Sequence, residues 1–253
     1  MKETETSWDR MAAAYDAFTA GEDAYSSAIE WPCVREMLPE LSGKSVIDLG
    51  CGTGRFTFLL EEKNPASITG VDLSGEMLRI ARANAQRTRS AARFRKADVS
   101  EHFTDEVFDF VFSSTLTHYI ADLDAFFRGV DRMLAPRGAC VFSVMHPVYT
   151  AQYPIKKGDA FPDDSEWTVR YLDGRERACI QPWIEYIDTI KNFLSFSYHH
   201  TFGDYIRAIV GAGMVVTQVC EPLPPADWER RFPERYNAFI ETPSYLILAA
   251  QKP

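Results

Sequence analysis

No hydrophobic run in the 253-residue sequence approaches the roughly 18 apolar residues of a membrane-spanning helix, so a membrane span is not expected. Its first residues include Lys2, Glu3, Glu5, Asp9 and Arg10 without an apolar stretch, so no secretory leader is visible and a cytoplasmic location is the expectation. Cysteine is sparse and unpatterned. Cys33, Cys51, Cys140, Cys179 and Cys220 form an odd set of five with no C-x-x-C pair. Neither a zinc site nor a disulfide framework is expected from it, and no other metal; reduced, mostly buried thiols are. Positive charge is also short: the formal net charge is -9 and the isoelectric point about 5.1, the wrong balance for a protein that tracks phosphates along a nucleic acid. The local basic run of Arg82, Arg87, Arg89, Arg93, Arg95 and Lys96 reads as a solvated helix face and the loop that trails it. Internal repeats and low-complexity segments are lacking too.

What is present is ordinary globular composition, 46% hydrophobic and 25% charged, on a chain long enough for one α/β domain with a sizeable core. Trp8, Met11, Ala12, Tyr15 and Phe18 follow a period near 3.6 and predict a helix broken at Gly21. A second helix is predicted from about Ala24 to Leu38. From there short apolar runs alternate with amphipathic stretches: strands at Ser45–Leu49, Ser67–Val71, Arg93–Ala97, Phe108–Ser113 and Ala139–Val144, helices at Arg55–Glu62, Gly75–Arg87 and Leu123–Leu134. Such alternation predicts a mostly parallel sheet with helices on both faces. Residues 146–200 interrupt the rhythm with many aromatics, among them Tyr149, Tyr153, Phe161, Trp167, Tyr171, Trp183, Tyr186, Phe193, Phe196 and Tyr198. Within them Trp167–Leu172 and Arg177–Gln181, joined at Asp173-Gly174, read as a hairpin. Thr201 with Asp204 resembles a capping box opening a helix that ends at Gly211 or Gly213. Met214–Cys220 and Ser244–Ala250 complete seven strands, separated by a Pro-rich, acidic connection of undetermined direction.

The chemistry is concentrated at strand ends. Asp48-Leu49-Gly50-Cys51-Gly52-Thr53-Gly54 sits where a hydrophobic strand turns into a helix, and glycine there lets a ligand approach the main chain. Dinucleotide sites favour G-x-G-x-x-G; this loop has G-x-G-x-G behind an acid. Asp72 ends the second strand, where a carboxylate can accept from ribose hydroxyls, and Asp98 ends the third, where it can accept from an adenine amino group. Three acids at successive strand ends converge on the crevice that open α/β sheets use for ligands, although Asp72 and Asp98 could instead cap helices or turns.

The ordered set resembles the class I, Rossmann-like methyltransferases that use S-adenosylmethionine, especially those acting on quinones, sugars and natural products. The shared motifs span about residues 8–148, and Tyr198–Pro253 is similar to the usual C-terminal part. The resemblance implies a seven-stranded sheet with an antiparallel last strand, an N-terminal helical lid, and a cap inserted at 149–200 between a core over 1–148 and its completion over 201–253. It implies S-adenosyl-L-methionine as cofactor, with S-adenosyl-L-homocysteine as product. Asp48, Gly50, Cys51, Gly52 and Gly54 would surround its methionyl part, with Ser113 and Ser114 beside the chain. Asp72 would hold the ribose, Leu73 and Met77 would line the adenine, and Asp98 with Val99 would read its edge. Tyr15 matches a lid tyrosine; as a sequence feature it reads equally as a core aromatic.

Methyl transfer from a sulfonium needs alignment and exclusion of water, and a base only where the nucleophile keeps its proton. Histidine is the natural base near neutrality. His118 follows the fourth strand and reads alternatively as a helix cap, His146 leaves the fifth and reads alternatively as a turn residue, and His199 and His200 open the next helical segment, where at least one is expected to face the pocket. His102 is expected to be exposed. The aromatic segment would cover a small organic substrate, in a monomer or homodimer without nucleic-acid or membrane partners. A non-methylating relative of the same fold, of cyclase or decarboxylase type, and an NAD(P)-dependent oxidoreductase stay open at this level.

Overall fold

The computed structural model describes residues 2–101, 104–154, 168–180 and 194–253. The chain begins with α1 (Lys2–Thr19), a π-helical turn over Ser26–Glu30 and α2 (Trp31–Met37). The core then runs β1 (Ser45–Leu49), α3 (Arg55–Glu61), β2 (Ser67–Asp72), α4 (Gly75–Thr88), β3 (Arg93–Lys96), β4 (Phe108–Ser114), α5 (Leu123–Met133) and β5 (Leu134–Met145). After α6 (Pro147–Thr150) come β6 (Glu176–Ile180) and β7 (Leu194–Tyr198), then α7 (Phe202–Gly211), β8 (Val215–Cys220), α8 (Trp228–Arg231), α9 (Pro233–Glu241) and β9 (Tyr245–Gln251). Seven strands form one sheet in the order β3-β2-β1-β4-β5-β9-β8, parallel except for β9, which runs antiparallel to both neighbours.

Alternation along each strand explains the two-faced burial. Ile47, Val111, Phe142 and Leu248 pack on one face against Phe126, Phe127 and Val130 of α5 and Tyr205 and Ile209 of α7. Val46, Phe110, Phe112, Val141 and Ile247 pack on the other against Val34 and Met37 of α2 and Phe56 and Leu60 of α3. The parallel order reverses between β1 and β4, so the ends of β1, β2 and β4 frame the crevice. At α7 the capping box is reciprocal: Thr201 Oγ1 accepts from the Asp204 amide at 3.1 Å, and the Asp204 carboxylate accepts from the Thr201 amide at 2.9 Å.

Three expectations change. Residues 24–38 are a π-helical turn followed by α2, so the stretch is not one α-helix. Among the described residues the predicted hairpin is replaced: β6 pairs antiparallel with β7 and not with 168–172, and Asp173 serves as an anchor whose carboxylate takes Arg175. Its backbone carbonyl accepts from the buried Arg177 guanidinium, which draws the chain away from a tight two-residue turn. Cys33 and Cys220 are joined in a disulfide between α2 and β8, against the expectation of reduced thiols, because the strand order brings β8 to the sheet edge beside α2. Cys51 and Cys140 are free and buried, as expected. The basic side chains from Arg82 to Lys96 are exposed, with Lys96 paired to Glu5 at 2.6 Å. No helix among the described residues is long and apolar enough to cross a membrane.

Candidate active site

The turn from β1 to α3 is held open by its own backbone. Gly50 and Cys51 donate to the Val71 carbonyl at 2.8 and 3.0 Å, and Gly50, Gly52 and Gly54 adopt φ of 74°, 55° and 89°. Side chains rarely tolerate that region. A Cβ on Gly50 would come within 3.0 Å of Leu116, and one on Gly54 within 2.9 Å of Phe58. Asp48, buried beneath the loop, accepts from Thr57 Oγ1 at 2.6 Å and so ties the strand to α3. Burial, without a cationic partner to offset it, pushes its carboxyl up to about 7.

Asp72 reaches across the crevice. One of its oxygens accepts from the Gly52 amide and the other from the Ser74 amide, each at 2.8 Å, which locks the glycine loop to the end of β2. Desolvation raises its pKa, and those amide bonds act against the rise. Asp98 accepts from the Ser100 amide and hydroxyl at 2.9 and 2.6 Å. Around these groups lies a cavity of about 420 Å³ whose walls include Tyr15, Gly50, Gly52, Asp72, Leu73, Met77, Asp98, Val99 and Ser114. A glycine floor, the Asp72 carboxylate beside it and the apolar side chains of Leu73, Met77 and Val99 suit a nucleoside carrying an amino-acid tail. Asp48, Cys51, Gly54 and Ser113 do not line this cavity; Ser113 Oγ donates to the Leu49 carbonyl at 2.9 Å and braces the same turn.

Helix α1 closes the crevice from above. Ser74 Oγ donates to Asp9 at 2.6 Å while accepting from the Met77 amide, and Asn84 donates to Asp16 at 3.2 Å. Trp8 and Tyr15 from this helix stand edge-on, with ring centroids 5.6 Å apart, and Trp8 meets Tyr119 at 5.8 Å.

A second cavity of about 720 Å³ adjoins the first. Trp8, Tyr15, Thr115 and Tyr119 belong to the walls of both. Thr115 has φ of 47°, a rare conformation for a β-branched residue, at the passage between them. The larger cavity continues past Tyr25, Glu30, His118 and Tyr149 to Phe232, Arg235, Phe239 and Tyr245. Glu30 is buried, and its carboxylate accepts from Ser114 Oγ at 2.5 Å. Ser143 faces the same group without meeting hydrogen-bond geometry. Desolvation lifts Glu30 to about 7.

The histidines separate. His118 lines the larger cavity, buried, with Nδ1 lacking a partner among the described residues; burial depresses it to about 3 and keeps the ring neutral. His146 and His199 line neither cavity. His146 Nδ1 accepts from the Val148 amide at 3.1 Å to cap α6, and its Nε2 meets Glu221 at 2.8 Å. His199 lies between Thr150 Oγ1 at 2.8 Å and the Tyr171 carbonyl at 2.7 Å. Both ring nitrogens of each are therefore engaged, one with backbone and one with a side chain, so the expectation that they reach the reacting groups does not match their positions. His200 is likewise engaged, with the Ile120 carbonyl at 2.7 Å.

Sequence reasoning missed Glu30, Thr115 and the α8–α9 wall. Glu30 had a signal: it lies four residues before Val34 and seven before Met37, in phase with the buried stripe of α2. The β8–β9 connection was read by its prolines and acids, yet Phe232 and Phe239 carry a helical repeat there. Of the aromatic segment, Tyr149 lines the larger cavity while Phe196 and Tyr198 line the smaller. His102, Phe161, Trp167, Trp183, Tyr186 and Phe193 lie outside the described residues.

Comparison with known proteins fits this geometry. A methyltransferase-domain model matches residues 47–142. An S-adenosylmethionine-dependent methyltransferase of Mesorhizobium loti is 31% identical and superposes with a TM-score of 0.70, over 88% of this chain and 97% of that one. An uncharacterized protein of Haemophilus influenzae is 26% identical over 96% of this chain and 95% of its own length. Phosphoethanolamine N-methyltransferase 1 of Arabidopsis thaliana is 33% identical over 40% of this chain, which corresponds to only 21% of that enzyme. With its glycine turn, acidic strand ends and reversed last strand, the chain belongs to the S-adenosylmethionine-dependent methyltransferases of the Rossmann-like class.

Proposed function

We propose that the protein transfers the methyl group of S-adenosylmethionine to an O, N or C nucleophile of a small organic molecule enclosed in the 720 Å³ cavity. The observation that carries this reading is the shared wall: Trp8, Tyr15, Thr115 and Tyr119 face both cavities, so two ligands would meet at that passage. The cofactor supplies an activated methyl, and the chain supplies alignment and a water-poor site.

In this reading the glycine turn at Gly50 and Gly52, with Ser114, receives the methionyl part. Asp72 takes the ribose, Leu73 and Met77 flank the adenine, and Asp98 and Val99 read its edge. Tyr15 closes over the sulfonium. Asp48, Cys51, Gly54 and Ser113 shape the turn from behind. His118, neutral and with an open nitrogen, takes a hydrogen bond from the acceptor or guides it. His146 and His199 anchor the segment that follows β5. An enclosed aromatic chamber on a chain of net charge -9 favours a metabolite over a nucleic acid as acceptor.

Ala238 lines only the larger cavity. Ala238→Trp is expected to lower methyl transfer at least tenfold while S-adenosylhomocysteine affinity, read by calorimetry, stays within twofold. Loss of both together, or of neither, would count against the division of labour between the cavities.

A further inference from the structure

We propose that the acceptor is an amine, held in its ammonium form by Glu30 among the aromatic walls of the larger cavity. The inference rests on the methyl-transfer reading above and adds the substrate class to it.

Glu30 is only 1% exposed, and its carboxylate accepts a hydrogen bond from Ser114, a residue that also lines the cofactor cavity. It therefore stands one residue from the point where the two cavities meet. The π-helical turn over Ser26–Glu30 is what brings a carboxylate into this position, and such turns are often retained where function needs them. A buried carboxylate is costly unless something of opposite charge answers it. Among the described residues Arg55 is the cation whose field reaches Glu30, but it lies outside the cavity wall and its guanidinium is committed to the Thr19 carbonyl and Ser27 Oγ.

The rest of the wall carries the same preference. Among the described residues lining the cavity, the charged groups are Glu30, Glu234 and Arg235. The Arg235 guanidinium stacks 5.3 Å from the Tyr25 ring, 5.4 Å from Trp228 and 5.0 Å from Phe232. The remaining lining is largely aromatic, including Tyr15, Phe18, Tyr149 and Tyr245. Electron-rich ring faces around a carboxylate form a cation site, and an acceptor whose reacting end is a phosphate or carboxylate would set a second negative charge against Glu30.

The chemistry closes without another reactant. The ammonium gives one proton to the Glu30 carboxylate, which frees the nitrogen lone pair. The nitrogen then forms a bond to the methyl carbon as the carbon–sulfur bond breaks, and that electron pair stays on sulfur. The positive charge passes to the methylated ammonium, and the proton on Glu30 leaves to solvent when product departs.

The test uses the full chain loaded with S-adenosylhomocysteine and two probes of one shape, phenethylammonium and 2-phenylethanol, measured by calorimetry. The wild type is expected to bind the ammonium at least tenfold tighter than the alcohol, and Glu30→Gln to reduce that preference below threefold with S-adenosylhomocysteine affinity unchanged. Between pH 6 and pH 8 the wild-type preference is expected to grow as Glu30 ionises. Burial is the first cause of that ionisation's position; the groups that face it are Ser114 from β4, Ser143 from β5, Arg55 from α3, Asp48 from β1, Tyr15 from α1 and Tyr245 from β9. Equal binding of the two probes, absence of binding by the ammonium, or a preference that survives in Glu30→Gln would each overturn the proposal. The wild-type preference stands as a test even if the variant fails to fold. Failure to bind S-adenosylhomocysteine at all would instead strike the methyl-transfer reading beneath it.

Discussion

At the scale of single residues, Asp72 does two things at once. Its oxygens fix the amides of Gly52 and Ser74, and each oxygen keeps a lone pair for a ribose hydroxyl. Asp72→Ala is therefore expected to weaken S-adenosylhomocysteine binding at least tenfold, about 1.4 kcal/mol, with the fold intact by circular dichroism. Unchanged affinity would remove Asp72 from the site. Buried titratable groups make a second, signed prediction. Burial raises Glu30 and Asp48 to about 7 in the folded protein, from ordinary values of 4.5 and 3.8, so the native state holds protons that the unfolded chain has released. Their contribution is present at low pH and is lost as pH rises through 7. His118 runs the other way: its folded value of about 3 lies below 6.5, so its contribution is present above 6.5 and is lost as pH falls. In urea unfolding, Glu30→Gln should gain on the wild type between pH 4 and pH 8, by up to about 3 kcal/mol. His118→Gln should gain between pH 7 and pH 5, by about 2 kcal/mol. Differences that do not vary with pH would contradict both assignments.

At the scale of elements, α1 is a cover held by polar clasps and not by a continuous apolar interface. Asp9 accepts from Ser74 Oγ at 2.6 Å and from the Glu76 amide at 3.1 Å, while Glu5 takes Lys96. Exposed pairs of this kind contribute little individually, so the cover is easily opened. Asp9→Ala should raise the dissociation rate of S-adenosylhomocysteine severalfold in stopped-flow measurements, with a smaller effect on the association rate. An unchanged off-rate would mean that α1 does not gate the cofactor. How legible these elements were follows from their periodicity. Strands β1, β4, β5 and β9 are buried on both faces, and the apolar runs at 45–49, 108–114, 139–144 and 244–250 stand out accordingly. The glycine loop and Asp72 were legible because backbone geometry leaves few residue types at such turns. The acceptor wall was not. It is assembled from α1, the turn at 26–30, the end of β4 and the start of α9, which share no spacing in the sequence. His146 and His199 were misplaced for the same reason: position at a strand end does not reveal that Glu221, Thr150 and Tyr171 occupy their ring nitrogens.

At the scale of the whole molecule, the sheet supplies a cofactor crevice and the additions around it supply a second, larger cavity. The helices before β1 and after β8 fold over the same side, so that Trp8, Tyr25, Phe232 and Phe239 come to line one cavity from opposite ends of the chain. The most direct test is where the methyl goes. Incubating the protein with a methyl-labelled S-adenosylmethionine and a cell extract, then separating small molecules from protein and nucleic acid, should place the label in the small-molecule fraction, in a product carrying a methylated nitrogen. Label confined to the macromolecular fraction would contradict the account.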